Sequence, residues 1–239
     1  MARTSFKSVA RISVLLGALL SSSLNTNSQN AEPKCISDAM LVFDGSGSMA
    51  ELGFNGLNRP RILDARQAIR EVIPEISKIR RLGLIIYGPG PDDCGNVDLR
   101  FRPTANAGSR VIHDIDTLTP NGTTPLTSAV REAARALSRR GSKGVVVLLT
   151  DGRENCGGMP CQLAGELSNE GFEATVHVIG FKVRKGYFSW RSTKEAQVER
   201  IETPASCLAE HTGGHHVSTE TVDELTVALR KMLGCPLIG

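Results

Sequence analysis

The sequence predicts an α/β fold: a Rossmann-like, doubly wound, mostly parallel central sheet with one antiparallel edge strand and helices on both faces. Three observations carry that expectation. Four short, nearly continuous apolar runs read as strands covered on both sides. Helical apolar patterns lie between them. The elements then alternate as β-α-β-β-α-β-α-β-α-β-α, with no internal repeat, which calls for an open parallel sheet between helical layers.

The four runs are "AMLVFD" (Ala39–Asp44), "LGLIIYG" (Leu82–Gly88), "GVVVLLTD" (Gly144–Asp151) and "TVHVIGF" (Thr175–Phe181). After the first, Ile62, Ala65, Ile69, Val72, Ile76 and Ile79 recur every three or four residues, the spacing of one helix face. Pro74 falls inside this pattern and is expected to kink or end the helix. "VDLRF" (Val97–Phe101) alternates, as an antiparallel edge strand does. Leu126, Ala129, Val130, Ala133 and Leu137 mark the next helix, closed by Arg139, Arg140 and Gly141 as C-terminal cations and cap. "TVDE", Thr221–Glu224, has capping-box spacing ahead of Leu225, Leu229 and Met232.

The chain has 239 residues and a formal charge of +3. Arg3, Lys7 and Arg11 precede the apolar "ISVLLGALL" (Ile12–Leu20) and then "SSS", the pattern of a secretory signal over residues 1–23. That run is too short to span a bilayer. Residues 24–34 are polar and read as a disordered linker, leaving 35–239 as one domain. Cys35 follows Pro33-Lys34, which does not resemble a lipid-attachment site. Without the three signal cations the charge falls to about zero, which argues against nucleic acid or an anionic membrane as partner. The expected location is secreted or periplasmic, with no membrane insertion.

All six cysteines follow the signal, and an even count in an exported chain favours disulfides. Cys35 precedes the first strand and Cys235 follows the last helix, at the same end of such a sheet, so these two are paired. For the others the expectation is Cys94–Cys156 and Cys161–Cys207, with Cys156–Cys161 as the local alternative.

The chemistry centres on "LVFDGSGSMA" (Leu41–Ala50), where a strand ends in Asp44, Ser46 and Ser48. A second central strand ends in Asp151. If the two strands are neighbours, both carboxylates stand at one rim. Two such charges about 4 Å apart repel by roughly 4 kcal/mol at an effective dielectric of 20. A hard divalent cation with oxygen ligands offsets that repulsion. "PNGTTPLTSAV" (Pro120–Val130) adds Thr124 at the start of a helix.

Asp44-x-Ser46-x-Ser48, Gly122-x-Thr124, and Thr150-Asp151-Gly152 after an apolar strand resemble the von Willebrand factor A domain. The resemblance spans about residues 35 to 235, and "TDGRENCGGMPC" and "CLAEHTGG" are similar to small exported bacterial members. In that family these three loops form the metal-ion-dependent adhesion site. The resemblance implies Ser46, Ser48 and Thr124 as hydroxyl ligands, with Asp44 and Asp151 ligating directly or through water. It implies Mg2+ first, with Mn2+ or Ca2+ as alternatives, and a partner protein that presents a carboxylate to the ion.

Plainer readings exist for each part. Thr124 before Pro125 is an ordinary N-cap sequence, and Asp151-Gly152 an ordinary turn. His211, His215 and His216 do not suggest a shared metal, because neighbouring strand residues face opposite ways. A metal-dependent hydrolase needs a general base beside the ion, and the sequence nominates none. A structural ion with no partner is the third alternative. Finally, "FKVRKGYFSWRS" (Phe181–Ser192) leaves the sheet on the metal rim. Its Tyr187, Phe188, Trp190 and Arg191 have the composition of a binding hot spot.

Overall fold

Strand β1 (Ala39–Asp44) is buried at every position, which is why its six residues show no polar alternation. It lies between β2 (Leu82–Tyr87) and β4 (Gly144–Thr150), parallel to both. This computed structural model describes residues 1–2, 35, 37–52, 59–91, 93–138, 143–181 and 204–235. The chain falls into two units, 1–31 and 32–239, and the sheet belongs to the second.

The six-stranded sheet has the order β3-β2-β1-β4-β5-β6, with β3 (Val97–Thr104) antiparallel at one edge. Strands β5 (Ala174–Phe181) and β6 (His216–Thr219) complete the parallel part. Alternate β1 residues feed two cores. Ala39, Leu41 and Phe43 pack against α1 (Arg61–Ile79), α2 (Gly108–Asp116) and α6 (Val222–Leu233). Met40 and Val42 pack against α3 (Leu126–Ser138), α4 (Pro160–Asn169) and α5 (Pro204–His211). The chain leaves β1 toward β2 on one side and reaches β4 on the other. Strand order therefore reverses at β1, and the crevice beyond its carboxyl end is where such sheets hold ligands.

One expectation needs correction. Two helices, not one, separate β3 from β4. The additional helix, α2, is nine residues long, with Val111 and Ile115 buried and Ile112 packed beside them. Of the two outcomes expected of Pro74, the helix is not ended, since α1 runs on to Ile79 with the exposed Pro74 inside it.

Three disulfides link the described residues. Cys35–Cys235 joins the entry to β1 with the end of α6 across 200 residues. Cys94–Cys156 ties the β2–β3 loop to the loop after β4, and Cys161–Cys207 ties α4 to α5. The capping box of α6 is formed in both directions between Thr221 and Glu224. The cap at 139–141 lies outside the described residues. Among the described residues no helix is long and apolar enough to cross a membrane.

Candidate metal centre

Three loops meet above β1 and β4, and backbone hydrogen bonds lock them together. Gly45 N–H donates to Tyr87 O (2.8 Å), Gly47 N–H to Gly122 O (3.1 Å), and Asn121 N–H to Gly45 O (2.9 Å). The glycines are required by this closeness, not by a need for flexibility. Gly122 has φ +75°, and a Cβ there would lie 2.2 Å from Gly88 O.

Asp44 is fully buried and Asp151 nearly so, at the carboxyl ends of adjacent parallel strands. Asp44 Oδ1 accepts from Ser46 N–H (2.9 Å) and Oδ2 from the Thr150 hydroxyl (2.7 Å). Asp151 Oδ1 accepts from the Ser48 hydroxyl (2.6 Å), and Oδ2 accepts from Arg61 Nη1 (2.8 Å). The Ser46 and Ser48 hydroxyl oxygens stand 3.1 Å apart. Burial and then the Asp44 charge push the Asp151 pKa up to about 7, against the Ser48 hydrogen bond and Arg61, which pull it down. Tyr87, buried below, is held a neutral phenol for the same two reasons, desolvation and the Asp44 charge.

Thr124 is also buried, and its loop is fixed to the Asp151 loop: Thr124 N–H donates to Asn155 Oδ1 (2.7 Å), and Asn155 N–H returns to Thr124 O (3.4 Å). The N-cap reading of Thr124 does not describe this site. The first-turn N–H of Thr127 is taken by Glu154 Oε2 (2.8 Å), and Glu154 Oε1 accepts from Cys156 N–H (2.8 Å).

These residues fit a hard divalent cation. The donor set is two carboxylates and three hydroxyls, all oxygen. An octahedral Mg2+ with oxygens at about 2.1 Å sets neighbouring ligands about 3 Å apart, and the Ser46–Ser48 hydroxyl spacing is 3.1 Å. Among the described residues no group of three or more His, Cys, Asp or Glu is placed to hold a metal ion. His215 instead stacks on His177, ring centroids 5.5 Å apart, and its N–H donates to His177 Nδ1 (3.0 Å).

Residues 39–154 match the von Willebrand factor type A domain, and the sheet order and edge strand described above agree with that match. The fold is the VWA fold. The VWA domain of SpRpn10 superimposes with a TM-score of 0.59 at 13% identity, over 85% of this chain and 99% of that one. Proximal thread matrix protein 1 from the mussel byssus, in a form with a zinc-occupied MIDAS motif, gives 0.54 at 17% identity, over 84% of this chain and 48% of that one. Among curated proteins, YwmC of Bacillus subtilis (strain 168) is 27% identical over 72% of this chain and 78% of its own length. YwmD of the same strain is 25% identical over 89% and 92%. Both relatives are uncharacterized.

Arg61, Glu154 and Asn155 bond to these loops without belonging to the expected motifs, and the Thr150 hydroxyl, inside one of them, donates to Asp44. Arg61 does leave a signal. It is the first residue of α1, where the helix dipole mildly disfavours a cation, an unfavourable placement that points to a nearby anion. Tyr187, Phe188, Trp190 and Arg191 lie outside the described residues.

Proposed function

We propose that this VWA domain is an exported, non-enzymatic protein-binding module whose Asp44, Ser46, Ser48, Thr124 and Asp151 hold a divalent cation, Mg2+ foremost. One observation carries the reading: two buried carboxylates end neighbouring strands at the topological switch point, with two serine hydroxyls at octahedral-edge spacing beside them. The ion would supply a fixed positive charge to which a partner protein's carboxylate adds. Ser48 and Asp151 are already in contact, and Thr124 is held to the Asp151 loop through Asn155. The ligand loops are therefore preorganised by the chain's own bonds. VWA domains are in general interaction modules rather than enzymes. Three disulfides support an oxidising compartment, hence the secreted or periplasmic assignment, with residues 1–23 as signal and 24–34 as linker. Trp190, with Tyr187, Phe188 and Arg191, remains the proposed partner-facing group.

The test is calorimetric and by capture. Mg2+ at a hundred times its Kd should stabilise the wild type by about 2.7 kcal/mol and Asp151→Ala not at all. Partners captured from the native envelope fraction should be lost on adding chelator. Equal stabilisation of both proteins by Mg2+ would remove these residues from the site.

A further inference from the structure

The Arg61 side chain is only 6% exposed and is committed to the rim of this site. Its Nη1 donates to Asp151 Oδ2 (2.8 Å) and to Ser48 O (2.9 Å), so one nitrogen spans a proposed ligand's carboxylate and the backbone of another. Glu51 Oε2 stands 3.4 Å from the same atom, but its side chain is 66% exposed and its charge is screened by water. A cation is costly to bury unless it is paired, and its partner here is Asp151, itself beside the buried Asp44. Arg61 and Ser48 together occupy both oxygens of Asp151.

We propose that Arg61 is a built-in stand-in cation: its contact with Asp151 holds the metal-free site together, sets the strength of divalent binding, and leaves the loaded site with a net positive charge for a carboxylate partner. This inference rests on the metal reading above. With both carboxylates ionised, the two of them and Arg61 together carry one negative charge. A divalent ion converts that to one positive charge, whereas without Arg61 the loaded site would be neutral. Arg61 therefore opposes the metal and favours the anion that joins it. It also explains how two carboxylates share a rim in a metal-free chain, since a guanidinium offsets one of them. A guanidinium suits this buried place better than an ammonium because it keeps its charge, although both contacts are made by the single Nη1.

The experiment titrates the metal-free full chain with MgCl2 by isothermal calorimetry at fixed ionic strength, for wild type, Arg61→Met and Arg61→Lys. Arg61→Met should bind Mg2+ at least tenfold more tightly than wild type, and Arg61→Lys within about threefold of it. Equal or weaker binding by Arg61→Met overturns the proposal and leaves the metal site standing. Absence of binding in all three proteins overturns both. A second readout needs no variant. In 15N spectra of the wild type, Mg2+ should shift the Arg61 guanidinium signal with the calorimetric midpoint while Arg80 stays fixed. An unmoved Arg61 signal at saturating Mg2+ overturns the proposal. With Mg2+ bound, acetate should raise the melting temperature of wild type and not of Arg61→Met. The same rise in both would remove the role in anion binding.

Discussion

The Asp151–Arg61 contact makes a prediction about the metal-free protein that reverses what the two carboxylates alone imply. With only Asp44 and Asp151 in view, removing Asp151 should relieve repulsion and stabilise the apo chain. The structure adds a buried guanidinium bonded to Asp151, and Asp151→Asn strands that cation. Removing one partner of a buried pair costs about 3–5 kcal/mol. Neighbouring strands lie about 4.8 Å apart, and two unit charges at that separation repel by about 3.5 kcal/mol at an effective dielectric of 20, so the relief falls at the lower end of that cost. Asp151→Asn in EDTA should therefore be less stable than wild type, by up to about 1.5 kcal/mol. Urea denaturation of wild type, Asp151→Asn, Arg61→Met and the double variant closes the cycle. A coupling of about 2 kcal/mol or more between the two sites is expected, with the double variant more stable than additivity allows. An Asp151→Asn protein more stable than wild type in EDTA would refute the reasoning, because repulsion would then outweigh the pair.

Three further outcomes are expected. Replacing Cys35 and Cys235 by serine opens a link across 200 residues and should cost about 5 kcal/mol on the chain-entropy model, measured by denaturation against the oxidised wild type; a loss below about 1 kcal/mol would show that the link constrains little. Glu154→Ala removes the acceptor for two backbone N–H groups, so stability should fall by about 1–2 kcal/mol and Mg2+ affinity should fall with it as the Thr124 loop loosens. His177 is held down to about 4 by burial first and then by His215, Arg80 and Lys231, so the unfolded chain binds the extra proton between pH 6.5 and 4. Stability is thus lost as pH falls through that window, by about 1 kcal/mol after screening at this half-buried site, and His177→Gln should flatten that part of the pH profile.

Strands β1, β2, β4 and β5 are legible in the amino-acid sequence alone, because short runs buried on both faces leave little room for another reading. The capping box at Thr221 is likewise a local bond between residues three apart. Helix α2 is short, nine residues with its apolar positions on one face, and escapes a reading built on longer helical patterns. Packing settles what lies across the rim. That β1 and β4 are neighbours, that Glu154 rather than Thr124 caps α3, and that Arg61 reaches Asp151 ninety residues away are facts of the assembled sheet. No sequence spacing encodes them, because such long-range contacts arise only when the sheet brings the carboxyl ends of its strands to one edge.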